Sequence, residues 1–213
     1  LAKPIVIDGH ELSISASMGI AMAPNDGEEF EILLQRADTA MYRSKEEGRN
    51  TYRFFDDRMN AESVEKLAMR NGLRRALELK QFVLHYQPQV DLATGRVFGA
   101  EALIRWQHPE WGLVPPGKFI PVAEDSGLIV PIGDWVIEEA CRQAKEWLDK
   151  GYPPLTVAVN LSALQFKRGD VEDVVSQALA RSGLPAQQLE LELTESVLIS
   201  DVEGVERRLK GLK

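Results

Sequence analysis

The sequence predicts an α/β protein with two domains, and three observations support this prediction. Its 213 residues exceed the length of one typical domain, and 44% apolar with 27% charged residues suffices to bury a core without disulfides. In the second half, short segments in which apolar and polar residues alternate are interspersed with segments whose apolar residues recur at helical spacing. Strands that alternate with helices favour parallel β-α-β units. We predict a first domain over 1–55, a linker and helix over 56–80, and a second domain over 81–213.

The net charge and the cysteine content exclude several classes of function. A net charge of -8 argues against non-specific binding to DNA, RNA or anionic lipid, because all three attract concentrated Lys and Arg. The single cysteine, Cys141, rules out an intrachain disulfide and a four-cysteine zinc site, which fits a cytoplasmic protein. No apolar run approaches the roughly 20 residues that span a bilayer, and no signal peptide opens the chain. Leu1 is not a start methionine, so a membrane anchor in a missing upstream region is left open.

The elements of the first domain follow from turn residues and apolar spacing. Residues 12–23 alternate and lead into a turn at 24–27, which predicts a strand. Apolar residues recur at helical spacing from Phe30 onward, and Gly48 marks the end of that helix. Aromatic residues within 52–55 predict a short closing strand.

The second domain is preceded by a polar stretch at 56–60, which begins the predicted linker, and by an amphipathic helix over 64–77. It opens with a predicted antiparallel hairpin, because 82–92 and 97–106 are joined by only a short turn. The prolines between 115 and 121 predict loops. The remaining predicted elements, in chain order, are a helix over 134–150, a strand over 155–161, a helix over 171–181, a strand over 189–193 and a helix beginning near 202.

Alternation along the predicted strands separates an apolar face from a polar face. Glu101 and Arg105 share the polar face of one strand, and Asn160 and Glu192 lie on the polar faces of two later strands. In a half-exposed antiparallel sheet that face would meet water. In an enclosed parallel sheet unpaired carboxylates are costly, and a cation is their natural partner. Glu101, Asn160 and Glu192 supply the hard oxygen ligands that suit Mg²⁺ or Mn²⁺.

Four motifs occur in order along the second domain: YQP at 86–88, EALIRW at 101–106, NLS at 160–162 and ELTES at 192–196. They resemble the motifs of the bacterial EAL phosphodiesterases, which hydrolyse the second messenger cyclic di-GMP to linear pGpG. The resemblance implies an α/β fold of the TIM-like (β/α) barrel type. Such a barrel usually needs about 250 residues and only about 150 follow the first domain, so we expect an incomplete barrel of the EAL type.

The resemblance implies that Glu101, Asn160 and Glu192 are the metal ligands and that Glu101 and Glu192 are catalytic residues. The metal would polarise the phosphate and lower the pKa of a bound water for in-line attack. The family carries paired aspartates, a lysine and a glutamate on later strands, and none of them precedes the end of the chain at Lys213. We therefore expect a complete parent protein to hydrolyse cyclic di-GMP and this 213-residue chain by itself to be inactive. The competing hypothesis is a signalling module that binds cyclic di-GMP or GTP without turnover.

The same resemblance implies that Gln87, Leu103 and Arg105 bind the substrate and that Glu195 supports a neighbouring catalytic loop. The guanidinium of Arg105 suits a phosphate because it offers two parallel donors. From the residues alone, Arg105 could equally pair with Glu101 or Glu192, and Gln87 could be a polar residue at a strand edge. Glu195 could be an acid at a helix N-terminus, where negative charge is favoured.

In the first domain, SMGIA at 17–21 and ADTAMY at 37–42 are followed by Lys45 and Arg49. This pattern resembles the C-terminal part of a GGDEF diguanylate cyclase domain and implies that Lys45 and Arg49 contact the phosphates of GTP. Their spacing predicts that both cations lie on one helical face, and the alternative is a solvated basic corner at a helix C-terminus. The motif that names the cyclase family is absent, so we expect no synthesis of cyclic di-GMP by this chain. GTP at a complete GGDEF domain and a homodimer, which is common in the family, are left open as partners.

Overall fold

The computed structural model describes residues 5–7, 10–12, 15–46, 48–168 and 170–193. The chain divides into two units, 1–68 and 69–213, and each unit is described separately. The predicted helix beginning near 202 lies outside the described residues. Within these ranges, no helix combines the length and the apolar composition that crossing a bilayer requires.

Within the described residues, the first unit contains two small sheets, one complete helix and the start of a second helix. Its elements are the antiparallel strands β1 (Ile5–Ile7) and β2 (His10–Leu12), the parallel strands β3 (Met18–Ile20) and β4 (Tyr52–Phe54), and the helix α1 (Phe30–Glu46). The predicted single strand over 12–23 is wrong, because β2 and β3 are separate and pair with different partners. Helix α1 packs so closely on β3 that a side chain at Gly19 would overlap the backbone of Ala37 and Met41.

The end of α1 corrects the prediction for the two cations near it. Helix α1 ends at Glu46, and Arg49 and Asn50 have positive φ angles of 60° and 50°. Lys45 therefore lies in the last helical turn and Arg49 lies beyond the helix. The prediction that both cations lie on one helical face is wrong.

The next helix, α2, spans Asp57–Glu78 and begins inside the stretch predicted as a polar linker. Asp56 precedes it, and its carboxylate accepts a hydrogen bond from the backbone N–H of Arg58 at 3.0 Å. An acidic residue in this place satisfies an amide that has no partner within the helix. The polar residues at 57–60 are thus a first helical turn.

The second unit is built on one five-stranded sheet. Its strands are β5 (Phe82–Val90), β6 (Val97–His108), β7 (Gly112–Val114), β8 (Thr156–Leu161) and β9 (Leu189–Leu193). Strand β5 is antiparallel to β6, as the short turn predicted, whereas β6, β8 and β9 are parallel. The sheet and its helices form an incomplete TIM-like (β/α) barrel, as the sequence predicted.

Besides the C-terminal part of α2, the helices of this unit are α3 (Pro116–Ser126), α4 (Ile129–Asp149), α5 (Ala163–Arg168) and α6 (Val171–Ser182), with a 3₁₀ turn at Ala186–Gln188 before β9. The predicted loop between 115 and 121 is wrong, since α3 occupies most of it. Pro116 stands in the first helical turn, where its missing N–H costs nothing. Burial of Phe119 and Val122 offsets the interior Pro121. Helix α4 also begins earlier than the predicted start at 134.

The core of this unit forms on the apolar faces that strand alternation predicted. Ala102, Val157, Val159 and Leu161 pack against α4, where Cys141 is fully buried. Burial raises the pKa of the Cys141 thiol to about 11, so the thiol stays protonated at neutral pH. A second cluster surrounds Trp106, which is 0% exposed. The opposite face of the strands is left for the polar residues described next.

Candidate functional site

Glu101 and Asn160 meet directly across two parallel strands. The Nδ2 of Asn160 donates a hydrogen bond of 2.7 Å to Oε1 of Glu101, although 59 positions separate them in sequence. In the register of β6 and β8, Glu101 lies opposite Ala158, so the bond runs diagonally toward the carboxyl end of β8. The carboxyl ends of parallel strands are where (β/α) barrels place their active sites.

Glu192 is the third member of this group. In the register of β8 and β9 it lies directly opposite Asn160. Burial, followed by the negative charges of Glu101 and Glu190, raises the pKa of Glu192 above its ordinary value. The structure thus brings Glu101, Asn160 and Glu192 together on three adjacent strands. Their role as metal ligands stays a prediction.

This group offers oxygen ligands and excess negative charge to a cation. Because Asn160 uses its amide nitrogen on Glu101, its amide oxygen is left as an acceptor, beside two carboxylates that repel each other. Among the described residues, no three His, Cys, Asp or Glu side chains form a metal site by themselves. The amide of Asn160 is therefore needed to complete a three-residue set. Carboxylate and amide oxygens fit a hard divalent cation.

We predict that Glu192→Gln stabilises the metal-free protein. At pH 7 the ionised carboxylate is disfavoured in the folded state, so removing its charge raises Tm by about 1–2 °C. A raised folded pKa means that this penalty vanishes as the pH falls below the unfolded pKa of Glu192. The difference in Tm between the two proteins should therefore shrink on acidification, as measured by calorimetry in EDTA. A Tm for Glu192→Gln at or below that of the wild type at pH 7 would contradict this.

The residues predicted to bind substrate lie beside this group. Gln87 on β5 is exposed and lies opposite Glu101 in the antiparallel register. The guanidinium of Arg105 donates a 2.9 Å hydrogen bond to the backbone oxygen of Ile104. It forms no ion pair with Glu101, Glu192 or another carboxylate in the described part of the chain. The salt-bridge interpretation of Arg105 is thus not supported, and its charge remains available.

A cavity of about 320 Å³ opens next to these side chains. Strands β7 and β8 pair with the same strand, β6, but at different places: β8 pairs up to Ala102 and β7 from Trp106 onward. Residues Leu103 and Arg105, in the interval between these pairings, line the cavity together with Asn160. The remaining lining comes mainly from apolar residues of α3 and α4.

Two polar residues of this cavity, Glu124 and Gln165, were not identified from the sequence. Burial, followed by the charge of Asp125, raises the pKa of Glu124. Gln165 is only 3% exposed and exchanges hydrogen bonds with Ser162. The spacing of Ser162 and Gln165 matches the capping-box pattern, a signal that could have found this pair.

Three other predicted residues are not brought to this group. Glu195 lies outside the described residues. Lys45 and Arg49 belong to the first unit, where both are exposed. The roles of all three stay predictions.

Comparison with known protein families finds a matching family model for each part of the chain. The EAL domain model matches residues 70–213, and the model of the diguanylate cyclase GGDEF domain matches residues 1–51. The bifunctional diguanylate cyclase/cyclic di-GMP phosphodiesterase MucR of Pseudomonas aeruginosa is 50% identical over 96% of this chain and 30% of its own length. The cyclic di-GMP phosphodiesterase PdeR of Escherichia coli is 44% identical over 95% of this chain and 30% of its own length. This chain thus spans about a third of the length of these relatives.

Solved structures resemble about two thirds or more of this chain. The P. aeruginosa MucR phosphodiesterase in complex with c-di-GMP superposes with a TM-score of 0.65 and 49% identity, over 68% of this chain and 59% of that one. The EAL domain of Xanthomonas citri FimX in complex with c-di-GMP gives a TM-score of 0.64 and 26% identity, over 72% of this chain and 59% of that one.

Proposed function

The chain belongs to the EAL domain family, and from this membership and the geometry above we propose that its EAL domain hydrolyses cyclic di-GMP to linear pGpG. The observation that carries the proposal is the group of Glu101, Asn160 and Glu192 on three adjacent parallel strands, with Asn160 and Glu192 at the carboxyl ends of β8 and β9. The names of MucR and PdeR, and the ligand in the MucR and FimX structures, support the choice of substrate.

Dependence on a divalent metal is general in this family, and we propose that Glu101, Asn160 and Glu192 hold Mg²⁺ or Mn²⁺. Such an ion would polarise a phosphoryl oxygen and lower the pKa of a water bound to it. Glu101 and Glu192 contribute the negative charge that binds a dication, and we assign them as the catalytic residues. The hydrogen bond from Asn160 fixes one oxygen of Glu101 and thereby the direction of that carboxylate.

For the substrate, we propose that Arg105 binds a phosphate, because its guanidinium has no carboxylate partner in the described residues and lines the cavity. Leu103 shares that cavity and offers apolar contact. Gln87 contributes hydrogen bonds from the strand opposite Glu101. We further propose that Glu195 supports a loop beside Glu192.

For the first unit, we propose a GGDEF segment over 1–55, joined through 56–80 to an EAL domain over 81–213. In a complete GGDEF domain, Lys45 and Arg49 would contact the phosphates of GTP. A cytoplasmic location fits the substrate. Analytical ultracentrifugation tests whether the protein forms a homodimer.

The experiment that tests the proposed function is an assay on protein expressed from the complete gene. Purified protein is incubated with cyclic di-GMP and Mg²⁺ or Mn²⁺, and the products are separated by chromatography. We expect linear pGpG, and we expect EDTA to stop its release. If the protein binds cyclic di-GMP but does not hydrolyse it, the domain is a binding module and not a phosphodiesterase. If it does not bind cyclic di-GMP, both hypotheses are excluded.

We predict that Arg105→Ala weakens the binding of cyclic di-GMP about 10- to 100-fold, because charge-assisted hydrogen bonds to a phosphate are lost. Arg105→Lys is the matched control: it keeps the charge but not the two parallel donors, so affinity should recover only in part. Calorimetric titration without metal measures both dissociation constants. Unchanged affinity in Arg105→Ala would remove Arg105 from the substrate site.

A further inference from the structure

Gln165 on α5 is an amide buried to 3% exposure. Its Oε1 accepts the backbone N–H of Ser162 at 3.1 Å, and its own backbone N–H donates to Oγ of Ser162 at 3.2 Å. These reciprocal bonds are a capping box, which fixes the direction in which the chain enters a helix. The Nε2 of the same amide is buried and has no hydrogen-bond partner among the described residues, so the position of Gln165 is fixed by the bonds of its Oε1 and its backbone N–H to Ser162.

Ser162 of the capping pair lies two residues after the predicted metal ligand Asn160. Strand β8 pairs with β6 only as far as Val159, and beyond that point the cavity separates the two strands. On one side, the backbone at Asn160 therefore pairs with β9, where it lies opposite Glu192. On the other side, Asn160 lies at the cavity. On the cavity side, the contact between Ser162 and Gln165 holds the backbone that follows Asn160.

Gly133 on α4 makes room for this amide. A Cβ at Gly133 would overlap Nε2 of Gln165, and both residues line the cavity. Glycine is a poorer helix former than alanine, so helix propensity does not explain its presence within α4. The need for space against Gln165 explains it.

We propose that Gln165, bonded to Ser162 and seated against Gly133, is a positioning residue for Asn160. It holds the end of β8 so that the amide nitrogen of Asn160 bonds to Glu101 and the amide oxygen remains free for the divalent cation. The role of the amide oxygen toward the cation rests on the proposed function. The bond between Asn160 and Glu101 does not require a metal.

Substitutions at Gln165 and Ser162 separate hydrogen bonding from packing. Gln165→Met keeps the length of the side chain and loses its amide, whereas Gln165→Glu retains an acceptor of the type found in capping boxes. Ser162→Ala loses the hydroxyl, whereas Ser162→Thr keeps it. We expect the methionine and alanine variants to weaken Mn²⁺ binding about tenfold or more, as outer residues of metal sites do. We expect Gln165→Glu and Ser162→Thr to remain within about threefold of the wild type.

Gly133→Ala gives an independent test that does not remove any polar group. Alanine should favour α4 but displace the buried amide of Gln165, so we expect weaker Mn²⁺ binding. In a Gln165→Ala background the overlap is relieved, and adding Gly133→Ala should change Mn²⁺ binding no further. This non-additivity would show that Gly133 acts through Gln165.

Two measurements on protein expressed from the complete gene decide the proposal. The EPR signal of free Mn²⁺ gives the affinity without any assay of activity. In the metal-free protein, the NMR resonances of the Asn160 side-chain amide report its bond to Glu101, and we expect Gln165→Met and Gly133→Ala to shift or broaden them. Unchanged resonances and unchanged Mn²⁺ affinity in both variants would overturn the proposal. If the wild type binds no Mn²⁺, the proposed function fails and with it the metal half of this proposal, while the NMR result still decides whether Gln165 positions Asn160.

Discussion

Glu101→Gln should lower kcat for cyclic di-GMP hydrolysis by about 10³-fold while substrate binding changes little. Glutamine keeps the shape of the side chain and can still accept the hydrogen bond from Asn160, so the change removes charge and little else. A metal site is worth several kcal/mol of charge stabilisation in the transition state, and each 1.4 kcal/mol is about a factor of ten in rate. The measurement is single-turnover release of linear pGpG, alongside calorimetric binding of the substrate without metal.

Glu190→Gln is the matched control for this prediction. Glu190 lies on β9 two residues before Glu192, is exposed, and lies opposite Ala158 in the register with β8. Removing the charge of Glu190 should leave kcat within about threefold of the wild-type value, because water screens the charge of an exposed carboxylate. If both variants lose activity equally, the effect comes from the overall negative charge of the strands. If Glu101→Gln keeps wild-type kcat, Glu101 is not a metal ligand.

Strand alternation was enough to identify the face on which the predicted metal ligands lie. Alternate residues of a strand must point to opposite sides, so the apolar pattern around Glu192 and Asn160 fixed their direction. The bond between Asn160 and Glu101 could not be predicted in the same way. It depends on how far β8 slides along β6, and this register arises from tertiary packing.

The errors in the predicted elements have local physical causes. The spacing of Lys45 and Arg49 predicts one helical face, but Gly48, with a φ of 113°, ends the helical conformation, and two further residues with positive φ follow it. The prolines predict a loop in place of α3, but the burial of Phe119 outweighs the helix-breaking effect of Pro121. The cavity at Leu103 could not have been foreseen, because it exists only where β7 and β8 leave an interval along β6.

The site and the core share the same strand, since Arg105 faces the cavity and the next residue, Trp106, is buried in the core. Trp106 lies opposite Phe82 in the register, and its Nε1 donates a 3.0 Å hydrogen bond to Oε1 of Gln81. Its ring also packs edge-on against Phe119 at 5.9 Å between centroids. Anything that loosens Trp106 should therefore also loosen the strand that carries Glu101 and Arg105.

Trp106→Ala should destabilise the second unit by about 3–5 kcal/mol, the usual cost of removing a fully buried tryptophan. Part of this cost is the cavity that remains, and part is the loss of the donor that satisfies Gln81. For a chain of this size the expected fall in Tm is roughly 6–20 °C. Urea denaturation followed by circular dichroism gives the free energy of unfolding directly.

Trp111→Ala is the control from the same sequence neighbourhood, because Trp111 is 42% exposed and contacts Trp106 only from the edge, with 5.8 Å between ring centroids. It should cost about 1 kcal/mol, the value of a partly exposed aromatic contact. Trp106→Phe should fall between the two, since phenylalanine keeps an aromatic ring but has no donor for Gln81. A loss below about 1 kcal/mol for Trp106→Ala would mean that the cluster around Trp106 does not support this end of the sheet. The position of Arg105 would then depend on α3 and α4, which line the other side of the cavity.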